Sequence, residues 1–536
     1  MKFVVTGMAG AVKALDAHLL DDSIGANSIN QRPRGGELAP WRMPLTVASV
    51  PAGRETIYRM GRDVDNDAAY WFSWTTIVHA VRGFLASDST ERTYYTGSGT
   101  PKVTDNIIGL AGAPYPTASR ELGVPAPSGS STITETTPGT GADRLVFYAD
   151  TFITDKGEES KPRLFGSITC KPGAIIDFGS LPGVPAGNYG VTIRRFYRGE
   201  ATSSGTGEFF FLLDQDSTLT TGGDDGRALG AGVMATTGWE MPPSDLKCLT
   251  GLWGGMMAGI SGRSVRYCEP FKPYAWPAKY ETLPADVTPV ALAVWSKNLL
   301  ILTNGRPYLV NGSTPESMGD EPIEFGKGCM SVKSVCDVEH GIVWSSGDGL
   351  AYFGANGPEL LTAGILTREQ WQAMAPDTLV GVLYEGTYLG FYKIGSAWFG
   401  FAIDVVEPRG IYFLDKGYPA AYLDKLRDSV FVLDGANIKK WDADAAFMTA
   451  KFVSKTFRAE RDVNLTALEV VARSWPVTVK IYGDGTLRDT RTVTSAKPVT
   501  MKPGGNPARE FYFEISTSGA AVGISVAPTM RELRNE

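Results

Sequence analysis

Residues 299–310 (LLILTNGRPYLV) decide the fold class, because an apolar run, a Gly/Asn turn and a second apolar run follow one another there. This order is the sequence signal of a β-hairpin. Similar units recur about every 43 residues, the spacing of four-stranded propeller blades, at residues 252–268, 342–353, 388–401 and 430–441. The sequence therefore predicts an all-β chain built on a β-propeller.

Composition agrees with a β-rich protein. The chain has 536 residues, of which 43% are hydrophobic and 20% charged, with 62 glycines and 33 prolines. Many tight turns joining β-branched and aromatic strands produce this mixture. The net charge of −7 argues against a surface that binds nucleic acid by neutralising phosphates. A mildly acidic passage could still let DNA through, since tight binding there would be a defect.

Breaks in the hairpin rhythm predict four parts, since a chain of this length exceeds one ordinary core. Residues 1–144 are interpreted as an N-terminal arm and the first blades, and residues 145–238 as an inserted, fibronectin III-like β-sandwich. The remaining blades follow at residues 239–445. Residues 446–536 are interpreted as a C-terminal β-rich domain, a second β-sandwich.

Local patterns give further predictions. Residues 1–50 are interpreted as an irregular arm that leads into the first strands, and residues 70–81 as strand. Residues 114–143, rich in Pro, Ser, Thr and Gly, are interpreted as a linker or surface loop. Thr367 with Gln370 three residues later predicts a capping box and a short helix. Asp484-Gly485 between two apolar runs predicts another hairpin.

The N-terminus and the cysteines bear on the compartment. The apolar start of the chain is broken by Gly7 and Gly10 and followed at once by Lys13, so we do not expect a signal peptide. No apolar stretch approaches the length of a membrane span. Five scattered cysteines without a CxxC pair predict reduced, mostly buried thiols in a protein folded in a cytosol.

Motifs for catalysis and metal binding are absent from the sequence. None of the three histidines has zincin spacing, and His79 in an apolar strand is expected at the core or its rim. Residues 222–226 (GGDDG) are interpreted as an exposed turn rather than a calcium loop. Residues 346–349 (SGDG) lack the spacing of an Asp-box. We therefore expect no enzyme, with no catalytic, cofactor-binding or metal-binding residue.

Two aromatic clusters could stack on sugars. The first contains Tyr70, Trp71, Phe72 and Trp74, and the second contains Tyr274 and Trp276 among prolines, at the end of residues 265–280 (VRYCEPFKPYAWPAKY). Packing in cores and turns is the expected role of both clusters.

Several stretches resemble the tail nozzle, or tail tubular protein B-like, structural proteins of tailed bacteriophages. They are residues 15–41, 92–106 (RTYYTGSGTPKVTDN), 115–127, 151–163, 265–280, 299–318, 366–371 (LTREQW) and 530–536. The resemblance implies a virion protein, assembled in the host cytoplasm as a ring, commonly a hexamer, at the distal end of the tail. Such a ring surrounds the DNA exit channel without reading its sequence, contacts the tail tube or adaptor protein, and holds fibres or spikes.

Two alternatives to this structural role remain open. The chain could be a receptor- or glycan-binding tail adhesin, with exposed aromatic side chains stacking on sugars. It could also be a propeller enzyme that acts on envelope polysaccharide, which requires a pair of suitably placed carboxylates.

Overall fold

The structure is a computed structural model that describes residues 1–33, 35–61, 65–86, 88–202, 205–502 and 507–534. The chain divides into two compact units. The first, called here the terminal unit, comprises Met1–Thr75, Leu302–Pro307 and Ile323–Glu536. The second, called here the middle unit, comprises Thr76–Ile301 and Tyr308–Pro322. Both units join segments that are distant in sequence.

Strands form nearly all of the regular structure. The first are β1 (Phe3–Thr6), β2 (Asn27–Ile29), β3 (Leu45–Ser49), β4 (Thr56–Arg59) and β5 (Trp71–Trp74). Next along the chain, almost entirely within the middle unit, come β6 (His79–Arg82), β7 (Thr93–Thr96), β8 (Lys102–Thr104), β9 (Arg120–Glu121), β10 (Thr132–Thr137), β11 (Arg144–Thr154), β12 (Arg163–Cys170), β13 (Ile175–Gly179), β14 (Val191–Thr202), β15 (Gly205–Asp216), β16 (Gly222–Asp224), β17 (Lys247–Gly251), β18 (Met257–Ser261), β19 (Ser264–Tyr267), β20 (Glu281–Thr282), β21 (Pro289–Trp295), β22 (Asn298–Thr303), β23 (Tyr308–Asn311) and β24 (Gly319–Pro322). The terminal unit resumes with β25 (Cys336–Asp337), β26 (Gly341–Ser345), β27 (Leu350–Gly354), β28 (Gly357–Leu360), β29 (Val380–Tyr384), β30 (Thr387–Ile394), β31 (Ala397–Asp404), β32 (Tyr412–Leu414), β33 (Ala421–Asp424), β34 (Ser429–Asp434), β35 (Asn437–Lys440), β36 (Ala450–Val453), β37 (Phe457–Val463), β38 (Ala467–Ala472), β39 (Val477–Gly483), β40 (Thr486–Val493), β41 (Val499–Thr500), β42 (Ala508–Thr517) and β43 (Ala521–Ala527).

The recurring hairpins are present at all five predicted positions. Each supplies the two central strands of a four-stranded run, in the orders β17-β18-β19-β20, β21-β22-β23-β24, β25-β26-β27-β28, β29-β30-β31-β32 and β33-β34-β35-β3. In the hairpin that decided the fold class, Leu299 lies opposite Val310. The prediction of an all-β chain made of many small sheets is confirmed.

Residues 1–50, predicted to be an irregular arm, are irregular over most of their length but contain the short strands β1, β2 and β3. Strand β3 pairs antiparallel with β35, from Leu45 opposite Lys440 to Ser49 opposite Asn437, and completes the sheet of β33, β34 and β35. Strand β1 pairs with β43 near the C-terminus. The sequence did not reveal β1 and β3 because both strands find their partners several hundred residues away, which no local pattern shows.

Two sheets share one core in the C-terminal part of the terminal unit. One has the order β1-β43-β38-β41, and the other contains β36, β42, β39 and β40. Phe3, Val479, Phe513 and Ile524 are among the buried residues between them. The hairpin predicted at Asp484-Gly485 is confirmed as the β39–β40 turn, and both turn residues have the positive φ that a type I′ turn requires.

Two further sheets share a core in the middle unit, with the orders β10-β13-β16 and β12-β11-β14-β15. Tyr148, Phe178 and Phe196 pack between them. Strands β9 and β10 lie within the stretch predicted to be a linker, so that prediction was wrong. The polar composition of β10 reflects its place at the edge of a sheet, where most of its side chains are exposed. It does not indicate an unstructured segment.

The predicted strand at residues 70–81 is also corrected, because it is two strands, β5 and β6, that belong to different sheets.

The two α-helices that the structure describes are short, α1 (Arg368–Gln372) and α2 (Met530–Arg534). The capping box is confirmed. The Thr367 hydroxyl accepts a hydrogen bond from the backbone N–H of Gln370, and the side-chain oxygen of Gln370 accepts one from the backbone N–H of Thr367. Among the described residues, no helix is long and apolar enough to span a membrane.

Strand β1 gives a matched pair of tests for its place in the core. Val5 is 0% exposed and its neighbour Val4 is 40% exposed. We expect Val5→Asp to lower the free energy of unfolding by about 3–5 kcal/mol, because it buries an uncompensated charge, whereas Val4→Asp leaves stability nearly unchanged. Chemical denaturation of both variants measures this. Equal, small effects would contradict the placement of β1.

Candidate functional site

The aromatic clusters singled out in the sequence lie in cores. Trp71, Phe72 and Trp74 are buried, and the Trp71 ring meets that of Phe431 edge-on with centroids 4.8 Å apart. Trp276 is 1% exposed, and its Nε1–H donates to the carbonyl oxygen of Pro273 at 2.8 Å. The expected packing role is confirmed for these tryptophans, and their rings are not available for stacking on an external ligand.

The Asp/Gly run at residues 222–226 contains a buried ion pair rather than an entirely exposed turn. The Asp224 carboxylate is 2% exposed and accepts from Arg198 Nη1 at 2.7 Å and from the Tyr148 hydroxyl at 2.9 Å. Asp225, in contrast, pairs with Arg227 at the surface. The prediction was wrong for Asp224 because β16 carries this side chain into the core between the sheets.

The histidine and cysteine predictions agree with the structure. His79 begins β6, and burial lowers its pKa to about 4, since desolvation disfavours the imidazolium. All five cysteines are buried and free, as predicted. Burial raises the pKa of Cys268 to about 12, so this thiol stays protonated at neutral pH.

Some acidic residues of the terminal unit are paired with neighbouring basic side chains. Asp348, in the turn between β26 and β27, pairs with Lys327 and lies 3.0 Å from Arg368 Nε. A cleft of about 250 Å³ collects further carboxylates, among them Asp337, which pairs with Lys425 at 2.9 Å. Within the described residues, no group of three or more His, Cys, Asp or Glu side chains is arranged to hold a metal ion.

A larger cleft, of about 370 Å³, opens within the middle unit and is the candidate functional site. Strand alternation places Arg195 and Tyr197 of β14 on one face, and β15 places Phe211 opposite Tyr197. The remaining walls come from residues near 157–159, 232–239 and 272–274. We call this the β14–β15 cleft.

Trp239, Tyr274 and Lys272 form an aromatic notch at one side of the cleft. The two rings meet at 76° with centroids 6.0 Å apart. Lys272 Nζ lies 5.7 Å from the centre of the Trp239 ring and 5.9 Å from that of Tyr274. Tyr274 is buried, whereas Trp239 and Lys272 are half-buried. The ring faces attract the ammonium and hold it at the cleft wall.

Another part of the lining carries charges that are already paired. Arg195 donates to the two Asp214 carboxylate oxygens at 2.8 and 2.9 Å, and its Nη1 lies 3.6 Å from Glu159. Glu159 also accepts from the hydroxyls of Thr151 and Tyr197, at 2.7 and 2.6 Å. Burial and the Glu159 carboxylate raise the pKa of Tyr197, so its phenol remains a donor.

The lining of the cleft includes Thr236, whose hydroxyl has no partner among the described residues. Thr236 is 2% exposed, and its Oγ1 forms no hydrogen bond within the part of the chain that the structure describes. A buried hydroxyl left unpaired is costly, so such groups are usually satisfied by a ligand or water. The cleft thus contains one unused hydroxyl.

The lining of this cleft is poor in carboxylates. Of the described residues that line the cleft, Glu159 alone carries a carboxylate, and that carboxylate already accepts three interactions. Glycoside hydrolysis uses two carboxylates that face each other across the bond to be cleaved.

The sequence missed this cleft because its residues come from five separate stretches. Alternation along β14 and β15 could have placed Arg195, Tyr197 and Phe211 on one face. Trp239 lies in an irregular segment with no periodicity, and its neighbour Lys272 is far from it in sequence. Only Tyr274 was singled out in advance, and as a packing residue.

The buried ion pair of β16 allows a matched test. We expect Asp224→Asn to lower the free energy of unfolding by about 3–5 kcal/mol, because Arg198 would keep a buried charge without a counter-ion. Asp225→Asn, one residue away at the surface, should leave stability unchanged within error. Thermal or chemical denaturation compares the two. Indistinguishable variants would contradict the burial of Asp224.

Comparisons with known proteins give no family for the chain: no family matches, and no curated protein matches. Among solved structures, it is similar to AztD of Citrobacter koseri at 11% identity, over 70% of this chain and 99% of that chain, with a TM-score of 0.27. It is similar to the WD40 domain of Neurospora crassa Pan2 at 10% identity, over 60% of this chain and 99% of that chain, with a TM-score of 0.26. It is similar to the WD40 domain of Toxoplasma gondii coronin at 10% identity, over 73% of this chain and 88% of that chain, with a TM-score of 0.26. Likeness this low carries no argument, and the all-β class rests on the strands themselves.

Proposed function

We propose that this chain is a structural protein of a bacteriophage tail, of the nozzle type, which assembles into a ring at the distal end of the tail. The resemblance of its sequence stretches to that family carries the proposal. Residues 92–106 correspond to the β7–β8 hairpin, and residues 299–318 include the β22–β23 hairpin. These two of the resembling stretches are therefore hairpins, which a shared scaffold would keep.

We also propose that the four-stranded sheets are blades of a β-propeller. In the terminal unit, β29, the first strand of one four-stranded run, contacts the first strands of two others, β25 and β33, and β33 contacts β4. In the middle unit, β17 contacts both β6 and β21. Contacts between the first strands of successive sheets are expected of blades packed side by side. Strand β3, from near the N-terminus, completes the sheet of β33, β34 and β35, and such a shared blade is compatible with a closed ring.

The added sandwiches are proposed to join subunits and partners. Blades protect their own edges, so specific contacts require other surfaces. Two parts supply such surfaces. One is the inserted part at residues 145–238, extended to include β10, and the other is the C-terminal part at residues 446–536, extended to include β1. In this proposal six copies form the ring, bind the tail tube or adaptor, and hold fibres or spikes.

The proposed lumen passes DNA without holding it. A net charge of −7 disfavours retention of phosphates, whose binding depends on lysine and arginine neutralising them. The ring is therefore expected to guide ejected DNA without sequence-specific contacts.

Labelling of virions tests this role. Antibodies raised against the purified chain should, on particles of the phage that encodes it, place gold label at the distal end of the tail, and averaged images of that end should show a cyclic ring. An antibody against the major capsid protein of the same particles is the control. Label absent from virions, or confined to the head, would refute the proposal.

A further inference from the structure

We propose that the β14–β15 cleft binds a sugar that carries a carboxylate, such as a uronate unit of an anionic polysaccharide. This inference goes beyond the structural role, and it does not depend on the tail assignment.

The size of the cleft suits a small ligand. Its volume of about 370 Å³ lies at the lower end of the roughly 300–1,000 Å³ typical of small-molecule sites. Its lining combines aromatic faces with a few convergent polar groups, as such sites usually do. A ligand of one or two sugar rings is the appropriate scale.

Lys272 gives the cleft its preference for an anion. Among the described residues its ammonium has no carboxylate at ion-pair distance, and it rests between the Trp239 and Tyr274 rings. Arg195, the other cation of the lining, is already paired with Asp214 and Glu159. The cleft therefore offers one unused positive charge, which matches a single carboxylate better than a doubly charged phosphate.

The Trp239 ring and the Thr236 hydroxyl complete the match to a sugar. Trp239 is half-buried and borders the cleft, so an aromatic face is in reach of the apolar C–H side of a pyranose ring. Thr236 lines the cleft and its Oγ1 is buried and unpartnered among the described residues, so a small rotation of this side chain would let it exchange a hydrogen bond with a sugar hydroxyl. A sugar acid presents an apolar face, hydroxyls and one carboxylate within a single ring.

Calorimetric titration of the full chain with digalacturonate tests the proposal, with the neutral disaccharide lactose as the reference ligand. We expect saturable binding of digalacturonate and much weaker binding of lactose. Lys272→Met removes the charge and keeps most of the side chain, and it should weaken digalacturonate binding by roughly ten- to a hundredfold without changing lactose binding. Thr236→Val should weaken binding of both sugars.

Lys279→Met is the matched control, because Lys279 also lies over an aromatic ring, 4.9 Å from the centre of Tyr280, but outside the cleft. It should bind digalacturonate as the unaltered chain does, and circular dichroism should show that all variants are folded. The proposal would be overturned by the absence of saturable digalacturonate binding, by equal affinity for lactose, or by an unchanged affinity in Lys272→Met. Tighter binding of inorganic phosphate or of an acidic peptide at Lys272 would also overturn it.

Discussion

Pairing between strands from the two ends of the chain is the interaction on which the terminal unit depends. Strand β1 joins β43, and β3 joins β35, so sheets made mainly from the C-terminal part are completed by N-terminal strands. Without β3, the backbone groups at the edge of β35 would be exposed for pairing with another chain. A bulge between Thr46 and Ala48 interrupts the register of β3, which makes this outer edge a poor template for further pairing. The loops closed by these pairings are long, but the entropic cost of closure rises slowly with loop length.

Buried ion pairs fix the strands where apolar packing alone would leave the register loosely specified. Asp150 of β11 is fully buried, with Arg163 at 2.8 Å and Arg194 at 3.3 Å. In the terminal unit, Arg59 of β4 lies 3.3 Å from Asp424 at the end of β33. Removing either partner would leave a charge in the core, so these pairs penalise a shifted register.

The sequence predicted structure well where the signal is local. Hairpin turns and the capping box at Thr367 depend on residues a few positions apart, and all were placed correctly. The partners of β1 and β3 could not be predicted, because pairing across hundreds of residues has no periodic signature. Alternation along β14 gave the correct period, yet Arg194 and Arg198 face the core and Tyr197 lines the cleft. A rule that assigns charged residues to the exposed face of a strand fails there, because carboxylates from other strands neutralise the buried arginines.

The β14–β15 cleft illustrates the same limit for function, since Trp239, Lys272 and Thr236 meet only after the middle unit has folded.

The most direct test of the pairing between the two ends of the chain is hydrogen–deuterium exchange of the native protein, followed at the amides of β3 and β35. If the ends of the chain are paired as described, both strands are protected and lose protection together as denaturant is added. Exchange of β3 at the rate of a free peptide, while β34 and β35 stay protected, would contradict it.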